Sequence, residues 1–324
     1  MNKAISFIVI GRNEGWRLVK CLESISFAIK KNKITNYEII YVDSNSTDGS
    51  IERALSFKEV RVFSITGVFN AAIARNIGVK ESSGNILFFI DGDMEIQADF
   101  LPVVYNPLNG DLKYDFVSGQ WINYYYNAQG ILFKKENYNI NDVRDIISAR
   151  TGGLFLIRKK IWEENGGMKT KMRRSQDLDF ALRLSKRGIF LMRKKELLAI
   201  HHTVSYIDKK RIWNLLFTGA HLFRIVLLRE NFFNKYEWSL FLRGNYTFFI
   251  LLFSFILSYC NHNIGYLSMY GISIILRTYV RGDKTIRSFL TNLLYFPLYE
   301  LSMFFGFFLF WPKSHKESYI SIKI

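Results

Sequence analysis

Cysteine is scarce in this chain, and its scarcity excludes several kinds of site. The 324 residues contain two cysteines, Cys21 and Cys260, which lie far apart in regions of different character. Two such residues can neither build a disulfide framework nor supply the clustered ligands of a structural zinc site. We therefore expect two unpaired, reduced thiols.

Acidic residues and proline are also few. The chain has 28 acidic against 44 basic residues, a net charge of +16, which favours nucleic acid, anionic lipid or phosphorylated substrates as partners. No RNA-binding sheet motif is visible and the basic residues are scattered, so nucleic acid is disfavoured. Only four prolines occur, while lysine, asparagine and isoleucine are abundant, which suggests an AT-rich bacterial genome.

Two sequence signals are absent near the N-terminus. The apolar run at residues 5–10 is too short for a signal-peptide core and no small-residue cleavage site follows, so we expect the first two thirds to fold in the cytoplasm. No Gly-x-Gly-x-x-Gly follows this first predicted strand, which disfavours a dinucleotide-dependent dehydrogenase.

Strand and helix patterns alternate over the first 105 residues or so. Apolar runs predict strands at 5–10, 37–42, 60–65 and 86–90, and helical spacing predicts helices at 13–28, 48–55 and 70–81. This alternation predicts a parallel sheet with right-handed crossovers. Further strands are expected at 116–124, 152–157 and 189–193, and further helices at 159–165 and 176–186.

Beyond residue 205 the chain becomes strongly apolar. Residues 212–228 suit an amphipathic helix at a membrane surface. The runs 240–260 and 264–280 approach the roughly 20 residues needed to cross a bilayer. A short polar break joins them into a predicted transmembrane hairpin, with basic residues such as Arg243 and Arg277 on one side.

A third run, 289–311, is interrupted by Pro297 and Glu300, and it could span the membrane, re-enter it or lie against its surface. An all-helical soluble core is the alternative, but such apolar runs would then need a large partner to cover them. We predict a first domain at residues 1–208 and a second at 209–324, an amphipathic helix plus two or three membrane helices.

The most informative stretch is residues 85–93, where an apolar strand ends in Asp91 and Asp93. Ligands of open α/β sheets bind at the carboxyl ends of such strands. Two neighbouring carboxylates repel each other unless a cation lies between them, and a divalent cation bridging to a diphosphate is the obvious candidate. An ordinary Asp-Gly turn is the alternative.

Two other strand ends lead into polar loops that should lie at the same edge of the sheet. Residues 12–14 follow the first strand, and residues 43–49 follow the second. Asn13, Ser46 and Asp48 could serve as helix caps. Asp43, at the strand tip, could accept a hydrogen bond from a base or sugar, and Arg75 could either be solvated or pair with a diphosphate or carboxylate.

The last polar cluster lies at residues 175–183. Asp177 stands at the start of a predicted helix, where the helix dipole favours a carboxylate and where a plain capping role is the alternative. Asp179 and Arg183, four residues apart, are expected to pair on this helix.

Taken in order, these segments resemble the inverting family 2 glycosyltransferases of the GT-A fold. The resemblance covers residues 4 to about 205 and rests on residues 10–14 (Ile-Gly-Arg-Asn-Glu), 42–50 (Val-Asp-Ser-Asn-Ser-Thr-Asp-Gly-Ser), 74–76 (Ala-Arg-Asn), 89–93 (Phe-Ile-Asp-Gly-Asp), 152–157 (Gly-Gly-Leu-Phe-Leu-Ile) and 176–183 (Gln-Asp-Leu-Asp-Phe-Ala-Leu-Arg). It implies an α/β nucleotide-diphospho-sugar transferase domain with a mostly parallel sheet, followed by an α-helical membrane-associated region.

The resemblance also implies roles for individual residues. Glu14 and Asp43 would hold the nucleotide base and ribose, and Asp91 the ribose or metal shell. Asp93 would ligate Mg²⁺ or Mn²⁺ on the diphosphate, with Arg75 beside it, and Asp177 would be the general base. His201 resembles a histidine that approaches the metal or diphosphate in relatives; His202 is its rival, and a structural role is the alternative.

Two departures from the family pattern stand out. Gln176 replaces the glutamate that usually precedes the aspartate of Asp177, which removes a like charge and would lower the pKa of that aspartate. The Gln-x-x-Arg-Trp motif of processive synthases is absent, which favours transfer of one sugar per encounter.

These observations lead to one expected function and one alternative. We expect inverting transfer of one sugar from a nucleotide-diphosphate donor to a polyprenyl-linked or other glycan acceptor. It would take place against membrane lipids at the cytoplasmic face of a bacterial inner membrane, in surface polysaccharide synthesis. The basic loop with Lys169, Lys171, Arg173 and Arg174 could meet a lipid diphosphate or be solvated. The alternative is an inactive, membrane-anchored nucleotide-sugar-binding or scaffold protein.

Overall fold

The computed structural model describes residues 4–106, 108–127, 129–138, 144–204, 209–281 and 285–322. They form two compact units, the first running to residue 206 and taken up again from 313, the second covering residues 207–312. The predicted domain boundary lies between residues 208 and 209. Residues 205–208, on its N-terminal side, lie outside the described residues.

The first unit begins with the predicted strand–helix alternation. Its first half contains β1 (Ile5–Gly11), α1 (Trp16–Lys31), β2 (Tyr37–Asp43), α2 (Ser50–Leu55), β3 (Val60–Ile65), α3 (Ala71–Glu81), β4 (Ile86–Asp91) and β5 (Met94–Ile96). Strands β3, β2, β1 and β4 lie side by side and run parallel. The sequences of these strands are nearly continuous apolar runs because α1 and α3 cover the two faces of the sheet and bury both.

The second half of this unit extends the sheet with mixed strand directions. It contains α4 (Leu101–Val104), β6 (Tyr105–Asn106), β7 (Asp111–Leu112), β8 (Phe116–Tyr126), β9 (Leu132–Tyr138), β10 (Ile146–Ser148), β11 (Phe155–Arg158), α5 (Lys159–Glu164), α6 (Gln176–Lys186) and β12 (Leu191–Val204). β11 joins β4 antiparallel, β8 joins β11 antiparallel, and β12 joins β8 parallel. The predicted α/β fold with a parallel core is confirmed, and Cys21 and Cys260 are unpaired thiols as expected.

The C-terminal residues of the chain return to this sheet. β13 (Tyr319–Ile322) pairs antiparallel with β3 and covers its outer edge. The sequence-based division assigned all of 209–324 to the helical region, and it differs from the structure here. A four-residue alternating segment that follows a long apolar helix is a weak sequence signal for a strand. It nevertheless forms hydrogen bonds with the edge strand β3, which would otherwise present unpaired backbone groups.

The second unit is helical. It contains α7 (Lys209–Phe217), α8 (Phe223–Glu230), α9 (Lys235–Cys260), α10 (Leu267–Arg281) and α11 (Ile286–Leu309). The single amphipathic helix predicted at 212–228 is in fact split, because Gly219 takes a left-handed conformation, with a φ of 68°, between α7 and α8.

Two helices of this unit, α9 and α11, are long and apolar enough to cross a membrane by length and composition. The predicted hairpin partner, α10, has 15 residues, about 22 Å of helix, and is therefore shorter than the hydrocarbon core of a bilayer. Glu300, which interrupts the third apolar run, has a partner within the helical unit. It is fully buried on α11 and pairs at 2.6 Å with Arg277 of α10. Arg277 is thus an internal partner rather than a flanking charge.

Candidate active site

A cleft of about 450 Å³ lies at the carboxyl edge of the parallel strands. The strand register sets Asp43 beside Gly11 and Asp91 beside Ile10, so the loops that follow β1, β2 and β4 open at one level. Six of the seven predicted site residues line this cleft: Glu14, Arg75, Asp91, Asp93, Asp177 and His201. The seventh, Asp43, lies just behind it, and its neighbour Ser44 reaches the lining.

An ion pair between Arg75 of α3 and Asp91 forms the floor of the cleft. Arg75 Nη2 donates to Asp91 Oδ1 at 2.5 Å, and the arginine side chain is only 3% exposed. Its Nε and Nη1 have no hydrogen-bond partner among the described residues. Because a buried guanidinium with unmet donors is costly, these two atoms are suited to a bound anion.

Because Gly153 has no side chain, there is room for this ion pair beside it. A Cβ at position 153 would overlap Arg75 Nη2 and Asp91 Oδ2, whereas a Cβ at Gly152 would touch only the Trp121 ring, at 3.6 Å. The glycine pair was visible in the sequence, but only the close approach of β11 to β4 explains why the second glycine matters.

The environment of Asp91 raises the pKa of its carboxyl group. About a third of its side chain is exposed, through the cleft, and protein surrounds the rest. Desolvation by burial raises the pKa of Asp91 above its usual range, although the Arg75 charge opposes this, and the Asp93 charge raises the pKa further.

Asp93 and His201 contact each other in the lining of the cleft. His201 Nε2 lies 3.0 Å from Asp93 Oδ2, and His201 Nδ1 lies 2.9 Å from Asn123 Oδ1 on β8. Burial alone would lower the pKa of His201, but the hydrogen bond to Asp93 and the charges of Asp93 and Asp91 outweigh burial and raise it. Sequence reasoning missed Asn123, since its partner lies on a strand far along the chain.

His202, the rival of His201, points away from the cleft. Its Nε2 contacts Glu95 at 2.7 Å, its Nδ1 contacts the Tyr126 hydroxyl at 2.9 Å, and the Trp16 ring packs on it. Burial lowers its pKa. His202 therefore joins strands and aromatic rings in the interior and does not line the cleft.

The described residues hold no group of three or more His, Cys, Asp and Glu side chains arranged around a metal. Asp93 and His201 nevertheless offer two neighbouring donors, each about 15% exposed toward the cleft. Mg²⁺ commonly binds through one or two carboxylates together with substrate phosphates and water. The donor set therefore fits a cation held jointly by protein and diphosphate, and does not fit a cation held by protein alone.

Glu14 stands at the other end of the acidic cluster, after β1. Its carboxylate pairs with Arg17 at 2.8 Å. Burial, followed by the nearby Asp93 charge, raises the pKa of Glu14 to about 7, with Arg17 opposing both effects. The carboxyl groups of Glu14, Asp91 and Asp93 thus repel one another in a site that is partly shielded from water.

Asp43 is fully buried and is bound within its own loop. It accepts hydrogen bonds from the Tyr41 hydroxyl at 2.8 Å and from the backbone N–H and hydroxyl of Ser46 at 2.7 and 2.5 Å. It therefore shapes the loop after β2, and its predicted contact with the nucleotide stays a prediction.

Asp177 and Gln176 open α6 beside the cleft. The preceding Ser175 takes a left-handed backbone conformation, with a φ of 59°, which turns the chain into the helix. Burial raises the pKa of Asp177, opposed by the Arg75 charge; the lowering expected from the neutral Gln176 stays a prediction. The expected pair of Asp179 with Arg183 is confirmed at 2.9 Å.

Comparison with known proteins places the chain among glycosyltransferases. The sequence model described as Glycosyl transferase family 2 matches residues 6–170. The chain is 26% identical over 61% of its length to Glycosyltransferase AglE of Haloferax volcanii, and 32% identical over 38% to Glycosyltransferase GlyG of Streptococcus pneumoniae. These alignments span 66% and 41% of the relatives' own lengths, in both cases less than two thirds.

A solved structure supports the same fold. The crystal structure of S. aureus TarS 1-349 aligns over 93% of this chain and 91% of that chain, with a TM-score of 0.52 and 11% identity. At this identity the likeness shows the fold alone, and the GT-A expectation is confirmed at that level. Since the matched family segment takes in half of the chain, including the strand ends at Glu14, Asp43, Asp91 and Asp93, this chain belongs to glycosyl transferase family 2.

Proposed function

We propose that this glycosyltransferase moves one sugar at a time, with inversion, from a nucleotide-diphosphate donor to the hydroxyl of a glycan acceptor. The observation that carries the proposal is the meeting of three groups in one cleft: the unmet nitrogens of Arg75, the Asp93–His201 pair, and Asp177. They match the three needs of the reaction, which are to hold a diphosphate, to stabilise its charge on leaving, and to take up a proton.

The donor half of the cleft would bind the nucleotide sugar. The Arg75 guanidinium, with two nitrogens that have no partner among the described residues, would donate to the diphosphate, while Glu14, Asp91 and the loop of Asp43 and Ser44 would hold the nucleoside. Asp93 and His201 would hold Mg²⁺ or Mn²⁺, which supplies positive charge against the charge that builds on the departing diphosphate.

Asp177 would be the general base. Its raised pKa makes it a stronger proton acceptor than an ordinary aspartate. It would take the proton of the acceptor hydroxyl as that oxygen attacks the anomeric carbon from the side opposite the leaving diphosphate, which inverts the configuration.

The helical unit and the basic loop support our proposal for the acceptor and its location. Helices α9 and α11 support association with membrane lipids, so a polyprenyl-linked glycan at the cytoplasmic face of a bacterial inner membrane is the acceptor we propose, in surface polysaccharide assembly. Lys169 of the basic loop pairs with buried Asp179 at 3.3 Å. Its charge is therefore used within the fold, and contact with a lipid diphosphate is assigned to the more exposed Arg173.

The first prediction separates an active transferase from an inactive nucleotide-sugar-binding scaffold. Membranes containing the full chain should release nucleoside diphosphate from at least one member of a panel of nucleotide sugars. EDTA should abolish this release, and excess Mg²⁺ or Mn²⁺ should restore it. Asp93→Asn should raise the cation concentration needed for half-maximal release, because it removes an anionic ligand. Donor binding without any release would favour the scaffold.

Replacement of Asp177 by asparagine tests the base. Asp177→Asn should lower kcat by about 10²–10⁴-fold while donor affinity stays unchanged, because the proton acceptor is lost and the shape is kept. In the wild type, activity should fall as pH drops through a pKa above the usual aspartate range, since protonated Asp177 cannot accept a proton. Glu163→Gln, an exposed carboxylate elsewhere, is the control. Equal rates for Asp177→Asn and wild type would remove Asp177 from this role.

The adjacent glycines provide a matched pair of variants. Gly153→Ala should displace the ends of Arg75 and Asp91 and lower turnover about 10²-fold, since a shift of about 1 Å in a positioning group has this effect. Gly152→Ala should keep near-normal turnover, because its new methyl meets only ordinary contact. Both are measured by nucleoside diphosphate release, with thermal unfolding as a check on folding. Similar rates for the two variants would contradict the assigned role of the ion pair.

A further inference from the structure

A second cavity of about 520 Å³ adjoins the cleft. Asp91, Met94, Gly153 and His201 line both, so the two spaces meet beside the Asp93–His201 pair. The remaining lining comes mainly from one face of the β8–β9 hairpin.

The period of the hairpin strands determines which side chains reach this cavity. Trp121, Asn123 and Tyr125 alternate along β8 and share a face. Across the hairpin, Tyr138 pairs with Trp121 and Glu136 pairs with Asn123, which adds their side chains to the same face. The cavity therefore has an aromatic end at Trp121 and a polar end at Glu136.

The aromatic end consists of two stacked rings and is partly open. The Tyr138 ring stacks on Trp121 with centroids 4.4 Å apart and planes 14° apart. Trp121 is 8% exposed and Arg193 lies over its ring, whereas Tyr138 is 44% exposed. The buried tryptophan therefore supports a tyrosine ring that keeps part of its surface toward the cavity.

The polar end is connected to the cleft. Asn123 Oδ1 contacts His201, and Asn123 Nδ2 donates to the Tyr125 hydroxyl at 3.3 Å. Glu136 adds a carboxylate that pairs with Lys134 at 3.2 Å. An aromatic surface next to a carboxylate and an amide suits a ligand with one apolar face and a rim of hydroxyl groups.

We propose that this cavity is a subsite for a sugar ring, with the C–H face of the ring on Tyr138 and its hydroxyls at Glu136 and Asn123. The inference deepens the proposed function and rests on it. The same chemistry fits the sugar of the donor and the terminal sugar of the acceptor, and the experiment has one arm for each source.

The test uses Tyr138→Leu and Glu136→Gln in the full chain, with Lys135→Gln as the matched control on the opposite face of β9. The donor arm compares the affinity of the preferred nucleotide sugar with that of its nucleoside diphosphate by calorimetry. The acceptor arm measures binding of n-octyl glycosides of glucose, galactose and N-acetylglucosamine by saturation-transfer NMR.

Each variant should weaken binding about tenfold in one arm, with nucleoside diphosphate affinity unchanged. A loss confined to nucleotide sugar assigns the subsite to the donor, and a loss confined to glycosides assigns it to the acceptor. Unchanged affinities in both arms, or an equal loss in the control, would overturn the subsite. Because both arms measure binding, a failure of catalysis for other reasons would not imitate that result.

An independent observation concerns the segment 313–322, which we call the C-terminal strap. The Thr170 hydroxyl donates to His315 O at 2.9 Å and accepts from His315 N–H at 3.0 Å. Asn76 Nδ2 donates to Glu317 Oε1 and to Met168 O, both at 2.9 Å. The strap then continues as β13 along β3.

These bonds hold the loop that leads into Asp177. The same loop is tied to the start of α3, since Asn70 Nδ2 donates to Thr170 O at 2.8 Å while Asn70 Oδ1 caps the helix. Asn70 also lines the cleft, and Arg75 lies five residues further along α3. Strap, loop and α3 therefore form one hydrogen-bonded assembly around the two residues that need accurate placement.

We infer that the strap is a positioning segment for Asp177 and Arg75, acting through Thr170 and Asn76. This inference also rests on the proposed function. Thr170→Val, which keeps the shape and removes both strap bonds, should lower kcat about tenfold with donor affinity unchanged. Thr170→Ser, which keeps the hydroxyl, should restore kcat. Glu317→Ala and Glu317→Gln form a second pair with the same expected order.

Hydrogen exchange of residues 168–174 gives a readout that does not depend on turnover. Exchange should rise in Thr170→Val and return toward wild type in Thr170→Ser. Wild-type kcat together with wild-type exchange in Thr170→Val would overturn the inference, as would equal losses in the valine and serine variants. Absence of turnover in every protein, with the exchange pattern as expected, would count against the proposed function alone.

Discussion

The Arg75–Asp91 ion pair is the contact on which the rest of the cleft depends. It joins α3 to the carboxyl end of β4, uses one of the three guanidinium nitrogens and leaves the other two unmet among the described residues. A buried cation with unmet donors is costly, so a bound anion that met these two nitrogens would stabilise the site. Gly153 makes this ion pair possible, because Arg75 and Asp91 fill the space that a side chain at position 153 would occupy.

The acidic residues around this ion pair are also charged groups held at an electrostatic cost. Burial and mutual repulsion raise the pKa values of Glu14 and Asp91, and burial raises that of Asp177. The chain carries a net charge of +16, yet its cleft gathers carboxylates, so the overall charge does not describe the site. A cluster of this kind is relieved by a cation, and Mg²⁺ in proteins commonly binds through one or two carboxylates together with substrate phosphates. The local charge balance therefore supports the proposal of a metal-bound phosphorylated ligand.

Much of the cleft could be predicted from sequence, because parallel strands bring their carboxyl ends to one edge. Glu14, Asp91 and Asp93 follow directly from that rule and from the apolar runs before them. The strands after residue 105 do not obey it. β8 and β12 pair with register shifts between Arg193 and Ala199, and one such shift exchanges inward and outward side chains. Alternation alone therefore could not decide between His201 and His202, and it could not pair Asn123 with His201.

The residues that sequence reasoning missed share one property: their partners lie far away along the chain. Asn123 meets His201, Gly153 makes room for Arg75, and Thr170 meets His315 across 145 positions. Local propensity carries no information about such pairs, since each residue is ordinary in its own segment. They are also the contacts that convert a set of strand ends into a site with fixed geometry. A family pattern therefore locates the acids of the cleft, whereas the placement of those acids depends on long-range contacts that local sequence does not reveal.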